Sequence, residues 1–132
     1  MNTLRIDMAP VAKGRARVAV RDARAHAYTP SKTVDAEERI RWAFRQSKQD
    51  KIPESVPIAV VVTFFIQKPK SCPKSRLHPV VKPDLDNMEK LVLDALNGFA
   101  WHDDSQIVTK MSTKAYVNCD PYIDVTWEPL TQ

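Results

Sequence analysis

Glycine, cysteine and long apolar runs are all scarce in this chain of 132 residues. With only Gly14 and Gly98, it contains neither a glycine-rich phosphate-binding loop nor a nucleophile elbow. Two cysteines, Cys72 and Cys119, do not make a disulfide framework, so we expect a cytoplasmic protein with reduced thiols. The longest apolar run, residues 58–66, is too short to span a bilayer, so we expect no membrane partner. No basic and then apolar leader opens the chain, and we therefore expect no secretion by a standard signal.

The length fits one domain, residues 1–132, and leaves little room for a second. Charge is divided unevenly along this domain. Residues 1–51 carry 12 Lys or Arg against 6 Asp or Glu, whereas residues 52–132 carry 8 against 10. A basic half joined to an acidic half indicates a surface that attracts polyanions and a separate place that holds something positive.

Hydrophobic periodicity predicts the order β-β-α-β-α-β-β. The first two strands form a hairpin-like pair within residues 4–20. A helix follows over 33–48, then a buried strand over 56–66 and a basic loop over 67–83. A second helix starts with a capping box of Asp86 and Glu89 and stops at Asn97-Gly98. Strands over 107–111 and 122–127 complete an α+β single domain, with two main helices packed on one mixed β-sheet.

A cluster of acids brackets the second predicted helix. It runs through 23 residues as Lys82-Pro83-Asp84-Leu85-Asp86-Asn87, then Lys90, Asp94 and Asp103-Asp104. Side chains two positions apart on extended chain point the same way, and Lys90 and Asp94 follow Asp86 at helical spacing. The turn after Gly98 could bring Asp103-Asp104 back to the same end.

Acids held close together repel one another, and a hard cation such as Mg²⁺ removes that cost while keeping positions open for phosphate oxygens. Two such ions can stabilise the attacking and leaving oxygens of phosphodiester cleavage. Lys90 is the candidate to neutralise transition-state charge, with Asp94 as its support. An ordinary structural explanation competes with this one: Asp86 caps a helix, Lys90 and Asp94 form a surface ion pair, and Asp103-Asp104 is a polar turn.

Two basic segments lie before the acids and are candidate phosphate contacts. The residues are Lys13, Arg15 and Arg17 in the first segment, and Lys68, Lys70, Lys74, Arg76 and Lys82 in the second. A basic surface can also be simply solvated, but two patches beside an acid cluster favour nucleic acid. Trp101 is a candidate either for stacking on a base or for the core, and His102 has no assigned task.

The acid block and its surroundings resemble the signature of the RusA-type Holliday junction resolvases. The similar segments are Lys82-Pro-Asp-Leu-Asp-Asn87, Lys90, Asp94-Ala-Leu-Asn-Gly98 and Asp103-Asp-Ser-Gln-Ile107, with weaker similarity in Pro10-Val-Ala-Lys-Gly-Arg-Ala-Arg17, Tyr28-Thr-Pro30 and Lys114-Ala-Tyr116. The resemblance covers roughly residues 4–127.

The resemblance implies an α+β, homodimeric, magnesium-dependent endonuclease for four-way DNA junctions, acting in recombination and repair and often encoded by prophages. The metal-binding aspartates of the family carry over to Asp84, Asp86 and Asp104, with Asp103 as the alternative to Asp104. The catalytic lysine carries over to Lys90. Resolving a junction needs two nicks related by two-fold symmetry, which two copies of one acid cluster supply.

Two other functions remain open on the sequence. One is a non-catalytic, basic nucleic-acid-binding protein whose acids only cap a helix and form ion pairs. The other is a nuclease with a different substrate, such as a flap, single-strand or RNA nuclease.

Overall fold

The structure, a computed structural model, describes residues 1–14, 17–21, 24–28 and 30–131. Its strands are β1 (Asn2–Ile6), β2 (Arg17–Arg21), β3 (Arg24–Tyr28), β4 (Ile58–Gln67), β5 (Ile107–Val117) and β6 (Tyr122–Pro129). Its helices are α1 (Ser31–Ser47) and α2 (Leu85–Leu96), and a short 3-10 turn, Asp104–Gln106, precedes β5. The predicted α+β class, with two main helices and a mixed sheet, is confirmed.

Four strands form the main sheet in the order β1-β6-β4-β5. Strand β6 pairs antiparallel with both β1 and β4, whereas β4 and β5 are parallel. Strands β2 and β3 form a separate two-stranded antiparallel sheet. Parallel neighbours need a crossover connection, and α2 with its flanking loops supplies it between β4 and β5.

The predicted hairpin-like pair within residues 4–20 is wrong. Strand β1 pairs with β6 at the far end of the chain, and β2 pairs with β3, a strand that the sequence pattern did not predict. Burial explains the choice, because Leu4 and Ile6 lie opposite Val125 and Ile123, and all four side chains are buried. Pairing that joins two apolar faces fixes the register of a strand more firmly than closeness in sequence does.

One hydrophobic core lies between the main sheet and both helices. Along β4 the alternate residues Ile58, Val60, Val62 and Phe64 are buried, whereas Val61 on the other face is 43% exposed. The buried side chains of β1, β6, α1 and α2 belong to the same cluster. The aromatic side chains of Phe64 and Trp127 are fully buried in this core.

The boundaries of both helices differ from the predicted ones by one or two residues. Helix α1 begins at Ser31, directly after Pro30, whose carbonyl accepts the Thr33 N–H at 3.0 Å. Proline fixes its own φ and suits the entry of a helix. Helix α2 begins at Leu85, and Asp84 takes the N-cap position that was predicted for Asp86.

None of the helices in the described part of the chain is long and apolar enough to cross a membrane.

Candidate active site

The start of α2 presents two carboxylates in different ways. Asp84 has the extended backbone of an N-cap, but its side chain accepts hydrogen bonds from the Lys82 ammonium at 3.0 and 3.2 Å and does not cap the helix. Asp86 lies in the first helical turn, where the helix dipole favours a negative charge. The predicted capping box of Asp86 and Glu89 is therefore wrong.

Glu89 makes tertiary contacts to β5 in place of the predicted cap. Its carboxylate accepts from the Ser112 hydroxyl and lies 2.5 Å from the Lys110 ammonium. Burial acts to raise the pKa of Glu89, but the bonds from Lys110 and Ser112 together hold that pKa below its usual value. This contact fastens α2 to the strand beside it.

One side of α2 packs into the core, and the other side carries charged residues. One side is the predicted apolar stripe, which is fully buried and consists of Met88, Leu91, Val92, Ala95 and Leu96. The other side carries Asp86, Lys90 and Asp94. Because the stripe fixes the rotation of the helix, it also fixes the direction in which the polar side chains point.

The end of α2 returns the chain toward its own polar side. Gly98 has a φ of 81°, a left-handed conformation that suits glycine, and the backbone then turns into the buried Trp101. The Asn97 side chain accepts the Asp104 N–H at 3.1 Å, which ties the 3-10 turn to the end of the helix. This contact places Asp104 at the C-terminal end of α2, whereas Asp86 lies in its first turn.

Asp103 and Asp104 face different surroundings. The Asp103 carboxylate accepts the Ser105 N–H at 3.0 Å, and the Gln106 side chain accepts the Asp103 N–H at 2.9 Å, so these residues form a capping box. Hydrogen bonds from Ser105 lower the pKa of Asp103. Asp103 borders a separate pocket that also contains His102 and Glu54.

The Asp104 carboxylate accepts the Trp101 indole N–H at 2.7 Å. Trp101 is completely buried, so it is a core residue and does not present its ring for stacking on a base. Burial raises the pKa of Asp104, the Trp101 bond opposes that shift, and the negative charge of Asp94 raises the pKa further. Of the two aspartates, Asp104 is therefore the one whose carboxylate lies near the negatively charged Asp94 of α2.

An open pocket of about 560 Å³ collects these side chains. Asp86, Asp94 and Asp104 line it together with Lys90, and Glu89 and Lys110 form part of its wall. Asp84 and Asp103 are outside this lining. The pocket thus extends along α2 from Asp86 near its start to Asp94 and Asp104 near its end, and its lining contains Asp94 and not Asp84.

The donor chemistry of this acidic pocket fits a hard divalent cation. Carboxylate oxygens are the ligands that Mg²⁺ prefers, and the mutual repulsion of Asp94 and Asp104 is the cost that a cation removes. Within the described ranges, no three or more His, Cys, Asp or Glu side chains are gathered to hold one metal ion. Mg²⁺ commonly takes one or two carboxylates and completes its shell with water and phosphate oxygens, so the pocket suits an ion shared with a substrate.

The side chains predicted to contact phosphate have different surroundings in the structure. The Lys82 ammonium pairs with Asp84, and the Lys68 ammonium donates to the Arg76 carbonyl at 2.9 Å. Lys70, Lys74 and Arg76 are exposed on the loop before α2. Arg15 lies outside the described residues, and Arg17 lies on β2.

Lys13 is committed to carboxylates. Its ammonium lies 2.9 Å from Glu37 and 3.1 Å from Asp94, and its side chain is only 22% exposed. Burial acts to lower the pKa of Lys13, but the two carboxylates raise it overall. This network was missed by the sequence reasoning. The one available signal was Glu37, an acid placed on the buried side of α1.

A further contact that sequence reasoning missed involves Lys114 of β5. Its ammonium donates to the carbonyls of Val81 and Pro83 at 2.7 and 3.2 Å. These carbonyls lie three residues and one residue before Asp84, so β5 holds the segment through which the chain enters α2.

The fold and site define a small α+β protein with an acidic, lysine-containing pocket on the crossover between two parallel strands. Residues 7–128 match the family model described as endodeoxyribonuclease RusA, and the chain belongs to that family. The chain is also 32% identical over 126 residues to "Uncharacterized protein YqaN" of Bacillus subtilis (strain 168), with 88% of this chain and 87% of that protein covered. Membership of the family indicates an endodeoxyribonuclease and supports a nuclease that resolves Holliday junctions.

Proposed function

We propose that the protein is a Mg²⁺-dependent endonuclease that resolves four-way DNA junctions by paired nicks, as a homodimer, in recombination and repair. The observation that carries the proposal is the acidic pocket, whose lining contains Asp86, Asp94 and Asp104 together with Lys90. Membership of the RusA family supports the choice of DNA junctions as substrate.

Asp86 and Asp104 are the residues we assign to the divalent cation. Asp84, which lies outside the pocket lining and pairs with Lys82, stays a candidate third carboxylate. When bound, the cation supplies an activated water and neutralises charge on the phosphate oxygens. Asp104 is oriented by its hydrogen bond from Trp101 and its backbone bond to Asn97, so it enters the pocket from a fixed direction.

Lys90 supplies the positive charge that the chain itself brings to the reaction. Its side chain is 64% exposed and lines the pocket opposite the buried stripe of α2. An ammonium placed where negative charge grows on the phosphoryl oxygens lowers the barrier to cleavage without forming a bond.

The exposed cations of the loop before α2 are assigned to the DNA backbone. Lys70, Lys74 and Arg76 lie on the loop that leads from β4 to α2, 8 to 14 residues before Asp84. Phosphate contacts of this kind position the duplex and carry no sequence information. The geometry of the junction and the two-fold symmetry of a dimer then supply the substrate preference.

The proposal is tested by measuring cleavage of a four-way junction, a flap, a plain duplex and an RNA duplex, each with Mg²⁺ and with EDTA. We expect symmetric nicks in the junction with Mg²⁺ only. Asp86→Asn is expected to abolish cleavage and to leave junction binding intact or tighter, because a negative charge beside phosphate is lost. Asp120→Asn is the matched control, since Asp120 is an exposed acid outside the pocket.

Three outcomes would decide against the proposal. Preferential cutting of the flap would mean that the substrate is branched DNA with a single-stranded arm. Salt-sensitive binding without any metal-dependent nicking would mean that the protein binds nucleic acid but is not a nuclease. Cleavage by Asp86→Asn at the wild-type rate would remove the acidic pocket from the reaction.

A further inference from the structure

Lys13 lies where the N-terminal segment meets both helices. Its backbone N–H donates to the Asn87 carbonyl in α2 at 3.0 Å, and the next N–H, of Gly14, donates to the Thr33 hydroxyl in α1 at 2.8 Å. A Cβ at Gly14 would lie 2.7 Å from that hydroxyl, so a larger residue at this position would force the Thr33 side chain to shift. The backbone at Lys13 is therefore fixed relative to α1 and α2.

The Lys13 ammonium joins an acid of each helix. Glu37 of α1 is 9% exposed and lies 2.9 Å away, and Asp94 of α2 lies 3.1 Å away. Charges that are partly withdrawn from water attract each other more strongly than exposed pairs do. An ammonium held by two carboxylates in this way is not free to contact a DNA phosphate.

Lys90 approaches the same carboxylate oxygen of Asp94 that Lys13 occupies. Its ammonium lies 3.9 Å from Asp94 Oδ2, against 3.1 Å for Lys13. The Lys90 side chain is 64% exposed, whereas that of Lys13 is 22% exposed. Lys90 and Asp94 thus form a long ion pair, and the closer and more buried Lys13 competes with Lys90 for the same oxygen.

We propose that Lys13 is a positioning residue for Lys90: by holding Asp94, it prevents that carboxylate from drawing the Lys90 ammonium back along the helix. Lys90 is thereby left directed into the acidic pocket and available to a substrate phosphate. The inference rests on the proposed function for the identity of that substrate, but the arrangement of the three charged groups stands independently of it.

The decisive experiment combines Lys13→Met with Asp94→Asn. In the wild-type background, Lys13→Met is expected to lower kcat about tenfold, less than the roughly hundredfold cost of deleting a transition-state donor. Junction affinity and its salt dependence are expected to stay unchanged. In the Asp94→Asn background, Lys13→Met is expected to change kcat less than about twofold, because the carboxylate that would capture Lys90 is absent.

Two results would overturn the proposal. If Lys13 contacts phosphate, Lys13→Met weakens junction binding and reduces the slope of log affinity against log salt concentration by about one. If Lys13 only holds the helices together, Lys13→Met costs the same in the wild-type and Asp94→Asn backgrounds. Lys13→Arg preserves the positive charge and is expected to retain most of the activity. The control is Lys51→Met, which changes an exposed lysine outside the pocket.

A second measurement keeps the test independent of folding and of catalysis. Lys13→Met removes a positive charge that pairs with the buried Glu37 carboxylate and so destabilises the fold. Adding Glu37→Gln, to make a double variant, removes the negative charge that would be left without this partner. Nitrogen NMR of the Lys90 ammonium, without DNA or metal, is expected to show slower proton exchange in this variant and reversal on adding Asp94→Asn. An unchanged Lys90 signal overturns the positioning role. Failure of wild-type protein to cut DNA would instead refute the proposed function alone.

Discussion

Asp103 and Asp104 are neighbours in the chain, yet their carboxylates have different surroundings. The Asp103 side chain closes the capping box of the 3-10 turn, and the Asp104 side chain takes the Trp101 hydrogen bond and faces the acidic pocket. At the scale of single residues, we therefore assign Asp104 to the metal and Asp103 to the turn.

The matched pair Asp104→Asn and Asp103→Asn tests this assignment. We expect Asp104→Asn to abolish junction cleavage, because a neutral amide binds a divalent cation poorly. Asp103→Asn is expected to cut at close to the wild-type rate, because asparagine caps a helix about as well as aspartate does. The measurement is single-turnover cleavage of a labelled junction, and the reverse pattern would show that the residues are wrongly assigned.

Lys90 is predicted to act on the reaction rather than on binding. Lys90→Ala is expected to lower kcat about a hundredfold while the junction dissociation constant stays nearly constant. Gel-shift titration and single-turnover kinetics on the same junction separate the two effects. A loss confined to affinity would make Lys90 an ordinary phosphate contact.

Helix α2 shows how far sequence reasoning reaches at the scale of an element. Its apolar stripe, from Met88 to Leu96, was predictable because burial repeats at the helical period. Its capping box was not, because Glu89 is engaged by Lys110 and Ser112 of a strand that lies beside it only after folding. The pairing of Lys13 with Glu37 and Asp94 was likewise not predicted, because these residues lie on separate segments that meet only after folding.

The Glu89 contact gives a stability prediction with a defined pH dependence. The folded-state pKa of Glu89 lies below its usual value, so its contribution is present above the unfolded-state pKa and is lost as pH falls through the folded-state pKa. Glu89→Gln is expected to lower the free energy of unfolding by about 1–3 kcal/mol at neutral pH, and by much less in acid.

Urea unfolding of wild type and Glu89→Gln at neutral and acidic pH measures that difference. Glu38→Gln, on the exposed side of α1, is the control and should show little change at either pH. An equal loss at both values of pH would mean that the carboxylate charge of Glu89 does not stabilise α2 on β5.

At the scale of the whole molecule, the acidic pocket occurs once in the described part of a chain, whereas resolution of a junction needs two cuts. We expect light scattering to give twice the chain mass of 15.0 kDa, because a two-fold dimer supplies a second pocket in the symmetric position. A protein that stays monomeric at the concentrations where it cuts a junction symmetrically would contradict this expectation.

Removing the positive charges of the loop before α2 is predicted to weaken DNA binding without slowing cleavage. Changing Lys70, Lys74 and Arg76 together to glutamine is expected to weaken junction affinity and to lower the slope of log affinity against log salt by roughly 0.9 for each lost phosphate contact. The single-turnover cutting rate at saturating protein should stay near that of wild type. An unchanged salt slope would remove this loop from the DNA interface.

The central claim is that the pocket between Asp86 and Asp104 holds the divalent cation used to cut DNA. Anomalous diffraction from crystals grown with Mn²⁺ in place of Mg²⁺ tests it most directly. We predict a peak within coordination distance of carboxylate oxygens from both residues. A peak elsewhere on the molecule, or no peak at saturating Mn²⁺ in crystals that also contain junction DNA, would contradict the claim.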